Sequence, residues 1–143
     1  MKKSLQVKQR NIAGCGVACL ASIAAYYELK LPVARIRQYA SANKKAPNIM
    51  EMIEAAQKLG FEAKGVKGSP ECLTEIPKPA IAHVIVEEQM QHFVVIYKAT
   101  EQAITVMDPD DGKLHKKTHE EFRKSWTGAL ILLFPAEISA RIF

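Results

Sequence analysis

Between Ile12 and Tyr27 the chain runs sixteen residues without a charge. A helix that is apolar on most of its faces must be buried on most of its faces, so this segment belongs at the centre of a domain. Ala18, Ala21, Ala24 and Ala25 favour helix, whereas Gly14 and Gly16 do not, which puts the helix start near Cys15. Lys2, Lys3, Lys8 and Arg10 precede the run, in the order of a secretory signal. The run is short for a membrane span, and Gly14, Gly16 and Ser22 dilute it. Ile12-Ala13-Gly14-Cys15 imitates a lipoprotein cleavage box, but Lys8, Gln9 and Arg10 stand where its apolar core should lie. A buried helix of a soluble domain is the better reading.

The rest of the chain divides at Gly60. Before it, the apolar period is helical. Pro32 can open a second helix with Val33, Ile36 and Tyr39–Ala40 on one face. Asn48 can cap a third helix, with Glu51 completing a capping box and Gly60 closing it. After Gly60 the pattern is strand-like. Phe61–Val66 alternates as a short strand, Ala80–Val86, His92–Lys98 and Ala103–Met107 are predicted strands with β-branched residues, and Gly128–Phe134 is a final apolar strand. Ser69-Pro70-Glu71 starts a helical turn, Pro77-Lys78-Pro79 is a breaker, and Glu88–Gln91 is a polar hairpin connection. Asp108-Pro109-Asp110-Asp111-Gly112 is a turn, followed by a Lys-rich stretch and a short helix capped by Thr118 and Glu121. Helices first and strands second predict an α+β fold with a largely antiparallel sheet. No repeat or linker interrupts it, so residues 1–143 are expected to form a single domain.

Composition narrows function mainly by exclusion. The net charge is +5, but the basic pairs Lys2–Lys3, Lys44–Lys45 and Lys116–Lys117 are scattered, with no aromatic platform between them. Nucleic acid is therefore not an expected partner. The three cysteines, Cys15, Cys19 and Cys72, are an odd number and include no CxxC pair. That argues against a disulfide framework and a structural zinc site, and fits reducing surroundings. Neither a metal nor a cofactor is expected.

Position singles out Cys15. The N-terminal end of a buried helix stabilises a thiolate, and Gly14 and Gly16 leave room for a substrate backbone. Cys19, one turn on, reads as a core filler. A thiolate nucleophile needs a base. His115 and His119 lie in polar surroundings, and His83 sits inside an apolar strand. His92 opens a strand, and at a sheet edge its imidazole is expected to reach the surface beside a helix end. Asp108 ends the next strand, where a hairpin brings it beside His92 to fix the tautomer. Gln9 precedes the helix and could supply an oxyanion donor together with the Cys15 N–H. Taken one at a time, each of these residues fits a purely structural role as well.

The ordered set is more specific. Val7-Lys8-Gln9 with Cys15-Gly16, then His92-Phe93-Val94-Val95, then Met107-Asp108-Pro109 resemble the peptidase family C39 domain, over about Val7 to Phe134. The resemblance implies a papain-like cysteine peptidase fold, with Cys15 as nucleophile, His92 as base and then acid, Asp108 as orienting carboxylate and Gln9 as oxyanion donor. It implies cleavage of secreted peptide precursors after a Gly-Gly motif. It also implies a place at the cytoplasmic face of a bacterial membrane, beside the transmembrane and ATP-binding domains of a peptide-exporting ABC transporter. Residues 135–143 then read as the start of a connection to a membrane domain. Walker A and membrane segments belong to such transporters and do not occur in this chain. Leaders of this class are expected to be amphipathic helices, which need an apolar groove. Candidates for it are Met50, Met52, Ile53, Ala56, Leu59 and Tyr97. The rival expectations are a docking module without catalysis and a papain-like acyl transferase.

Overall fold

The computed structural model describes residues 14–40, 47–87 and 90–136. Helix α1 spans Gly14–Tyr26, and every residue from Gly14 to Ala24 in it is buried. The uncharged run thus becomes the central helix that its composition demands. Helix α2 spans Val33–Ala40 and starts on Pro32, whose carbonyl accepts from the N–H groups of Arg35 and Ile36 at 3.0 and 3.2 Å. Helix α3 spans Ile49–Lys58. The Glu51 N–H donates to the Asn48 side chain at 2.8 Å, and the Asn48 N–H donates to the Glu51 carboxylate at 2.9 Å. Two of the donors that a helix start leaves unpaired are thereby satisfied. Gly60 ends the helix at φ +100°, a conformation that suits glycine.

Six strands follow: β1 (Phe61–Lys67), β2 (Ala80–Val86), β3 (Met90–Ala99), β4 (Ile104–Asp108), β5 (Lys113–Lys117) and β6 (Trp126–Pro135). They form one sheet in the order β1-β6-β2-β3-β4-β5, with every neighbouring pair antiparallel. A 3₁₀ turn at Pro70–Thr74 and helix α4 (His119–Ser125), capped by Thr118 and Glu121, complete the order. No described helix is long and apolar enough to cross a membrane.

Strand alternation feeds two cores. On one face Ile81, Phe93, Val95, Met107 and Ile131 pack against α1, α2 and α3. On the other, Ala82, Val84, Val94, Ile96 and Val106 meet Leu73 and Phe122 from the 3₁₀ turn and α4. A period of two sends successive side chains to opposite layers, which explains why β3 reads as a continuous apolar run.

Strand β5 was not among the predicted strands. Its residues, Lys113-Leu114-His115-Lys116-Lys117, carry no buried apolar face, because the strand lies at the sheet edge and pairs only with β4. Its lysines discourage a further strand from adding there. β3 also starts earlier than expected, at Met90, and runs between β2 and β4. His92 pairs with Val84 of β2 and lies beyond the β3–β4 pairing, which begins at Val95↔Met107.

Candidate active site

The site joins the start of α1 to the middle of the sheet. Cys15 is the second residue of α1, and only 2% of its surface is exposed. Cys15 thus lies in the first turn of a thirteen-residue helix, at the positive end of its dipole. Gly16 explains how the helix end is seated. A side chain there would meet the Met52 sulfur at 2.7 Å and Cγ of Pro47 at 2.8 Å. The expectation that Gly16 opens space for substrate is thus corrected: α3 and Pro47 already fill that space.

His92 stands in β3 and Asp108 ends β4, and these strands are hydrogen-bonded neighbours in the register Val95↔Met107. Nε2 of His92 donates to the Asp108 carboxylate at 2.8 Å. That bond fixes the tautomer and leaves Nδ1 for Cys15. The turn after β4 holds the carboxylate in turn, since the N–H of Asp110 donates to the same Asp108 oxygen at 3.0 Å. The N–H of Gly112 closes the turn onto the Asp108 carbonyl at 2.8 Å.

His92 is 5% exposed, and the expected surface position is corrected. Asp108 at the end of β4 and Cys15 at the start of α1 cover the ring. Burial disfavours its protonated form. The hydrogen bonds to Asp108 and Cys15, and then the charges of both, outweigh that cost and push its pKa up to about 10. Asp108 moves the other way. Burial works against its charge, yet the bonds from His92 and the Asp110 N–H, with the charges of His92 and His115, hold its carboxyl below the usual range. The pair is therefore imidazolium and carboxylate at neutral pH.

Other candidates separate from this centre. Cys19 is fully buried one turn along α1, and burial, followed by the charges of Cys15 and Asp108, pushes its thiol well up. It stays a neutral core group. His83 is buried with both nitrogens engaged, Nδ1 to the Thr127 hydroxyl at 3.0 Å and Nε2 to the Gln91 side chain at 3.2 Å. His115 bonds Asp111 at 2.8 Å, and His119 donates to the Thr100 carbonyl at 2.7 Å. Gln9 lies outside the described residues. Among the residues named for a groove, Met52, Ala56 and Leu59 are buried in the core between α3 and the sheet and present no face to a ligand. Met50 is exposed, while Ile53 and Tyr97 are half-buried against the same core. A helix docked on a sheet spends one of its apolar faces on the core, and α3 spends these three residues that way.

Asp110, two residues beyond Asp108 in the same turn, brings its carboxylate within 4.0 Å of Nε2 of His92. Nε2 and the Asp108 and Asp110 oxygens all lie within 4.8 Å of one another, a spacing that a cation could bridge.

A cysteine at a buried helix start, facing a histidine and carboxylate on adjacent antiparallel strands, defines a papain-like cysteine peptidase fold. Within that class the chain belongs to the Peptidase C39 family, whose model matches residues 3–138. It is 39% identical over 137 residues to the lactococcin-G-processing and transport ATP-binding protein LagD of Lactococcus lactis, covering 94% of this chain and 19% of that protein. It is 30% identical over 125 residues to the transport/processing ATP-binding protein ComA of Streptococcus pneumoniae, covering 85% of this chain and 17% of the other. The chain thus spans about a fifth of the length of these curated relatives. Two solved structures match nearly end to end. The peptidase domain of Streptococcus ComA has TM-score 0.84 and 33% identity, over 93% of this chain and 99% of that one. A double glycine motif protease from an AMS/PCAT transporter, in complex with a leader peptide, has TM-score 0.81 and 31% identity, over 94% of both.

Proposed function

We propose that this chain is a leader peptidase that cuts peptide precursors after a Gly-Gly motif, with Cys15 as nucleophile, His92 as acid and base, and Asp108 as its orienting carboxylate. The observation that carries the reading is the 2.8 Å bond between Nε2 of His92 and Asp108, on an imidazole whose other hydrogen-bond partner is Cys15. An imidazolium held beside a helix N-terminus favours the thiolate. The thiolate attacks the carbonyl carbon of the second glycine, and the negative charge moves to its oxygen. The Cys15 N–H and the Gln9 amide are the proposed donors to that oxygen. As the C–N bond breaks, His92 gives its proton to the leaving amine and a thioester remains. Neutral His92 then takes a proton from water, whose oxygen attacks the thioester, and the leader leaves with a free carboxylate while the thiolate returns.

The substrate class is supported by the double glycine motif protease that this chain resembles over 94% of its length. The proposed partners rest on the curated relatives. Precursors with an amphipathic helical leader, and the transmembrane and ATP-binding domains of an exporter, fit relatives described as processing and transport ATP-binding proteins. Such a domain works at the cytoplasmic face of the membrane. Met50, Ile53 and Tyr97 remain the proposed apolar contacts for the leader.

Alkylation separates this reading from a docking module. Cys72 is more exposed than Cys15, so access alone would make Cys72 react first with a small alkylating reagent. The thiolate reading predicts the reverse at near-neutral pH, with loss of cleavage in step with modification of Cys15. Equal or slower reaction at Cys15, with processing intact in Cys15→Ala, would sink it. A free leader acid, as opposed to an amide or ester adduct, excludes an acyl transferase.

A further inference from the structure

The turn Asp108–Gly112 carries three acids, and the structure gives them different tasks. Asp108 holds His92. Asp111 turns away to β5, accepting from the Lys113 N–H at 2.9 Å and from His115 at 2.8 Å. Asp110 turns back toward the site. Its N–H donates to Asp108 at 3.0 Å, and its carboxylate oxygen stands 4.0 Å from Nε2 of His92, with 60% of the side chain exposed.

We propose that Asp110 is a second positioning carboxylate for His92, aiming Asp108 through its backbone N–H and adding its own charge to the imidazolium. This rests on the peptidase reading above and assigns Asp110 no contact with substrate. An ion 4.0 Å away stabilises a cation without a direct hydrogen bond. Its exposure means that solvent screens part of the effect, so Asp110 supplements Asp108 and does not replace it at full strength. Among the described residues, the other ionisable groups that act on this pair are Cys15 and Cys19 from α1, Asp108 from β4 and His115 from β5. β2 sets the uncharged Val84 opposite His92. Among these, Asp110 is the carboxylate besides Asp108 within ion-pair distance of the ring. If Asp108 is neutralised, Asp110 is left as the nearby anion, and the two should show coupled effects.

The test uses Asp110→Asn, Asp110→Glu, Asp108→Asn and the double Asn variant in the full chain. Asn keeps the backbone N–H that reaches Asp108 and suits the same turn, so it removes charge alone. The imidazole of His92 is titrated by NMR, and kcat and KM for a double-glycine precursor are measured across pH. Asp110→Asn should lower the His92 pKa, and with it the alkaline limb of kcat/KM, by about half a unit to one unit, the scale of one largely solvated charge about 4 Å away. kcat should fall a few-fold with KM unchanged, and Asp110→Glu should restore part of the shift. Asp110→Asn should cost more in the Asp108→Asn background than in the unaltered chain. The proposal is overturned if the His92 titration is the same in Asp110→Asn and the unaltered chain, or if the loss is no larger in the Asp108→Asn background. The NMR titration needs no substrate. Failure of the unaltered chain to cut any precursor would therefore count against the peptidase reading and leave the result on Asp110 standing.

Discussion

The proposed mechanism runs its proton transfers through His92, a buried ring that is made to keep a proton. Burial alone would drive that proton off, and the nearby Asp108 and Cys15 reverse the outcome, up to a pKa of about 10. Removing one of those charges should therefore move the ring back toward its ordinary value of 6.5. Asp108→Asn is expected to bring the alkaline limb of kcat/KM down toward neutral pH and to lower kcat by two orders of magnitude or more, of the kind seen when an orienting carboxylate is lost. A pH–rate profile with an unmoved alkaline limb would contradict this. The same pair affects stability. The raised pKa of His92 contributes stability that is complete below pH 6.5 and lost as pH rises toward about 10. The lowered pKa of Asp108 contributes stability that is complete above its ordinary 3.8 and lost as pH falls through its folded value. Denaturant titrations should thus find the gap between the unaltered chain and Asp108→Asn widest between about pH 4 and 6.5, and narrower near pH 10.

Elements hold these residues in place through a few tight approaches. Gly16 is the clearest, because the start of α1 lies directly on Met52 and Pro47. Gly16→Ala should cost about 1–3 kcal/mol of unfolding free energy, the range for over-packing a filled core, and should misplace Cys15. A midpoint of denaturation equal to that of the unaltered chain would show that Met52 and Pro47 yield without cost. The sequence could not disclose this contact, since a glycine beside a proposed nucleophile suits substrate access equally well and Pro47 lies thirty-one residues away. Elements with their own local signal were legible: α1 from its missing charges, α3 from Asn48 and Glu51, α4 from Thr118 and Glu121. β5 was not, because an edge strand of lysines has no alternation to read. Three of the six groove candidates went to the core for a related reason. Helical spacing marks Met52, Ala56 and Leu59 as one face but does not say whether that face meets the core or a ligand, and here it meets the core.

At the scale of the whole molecule, the sheet brings together residues that the chain keeps far apart. Cys15 comes from the helical half, and His92 and Asp108 from two strands joined by a hairpin, so neither half holds the site alone. The pairing of His92 with Asp108 could be read from adjacent β runs. Its burial could not, because that depends on the start of α1 and the end of β4 closing over the ring. The central claim is that this assembled trio cuts precursors after a double glycine. Incubating the chain with double-glycine precursor peptides and locating the products by mass spectrometry tests it most directly. The account predicts a single cut after the second glycine, a leader ending in a free carboxylate, and no cut with Cys15→Ala. Cleavage that persists in Cys15→Ala, or cuts that ignore the Gly-Gly position, would contradict it.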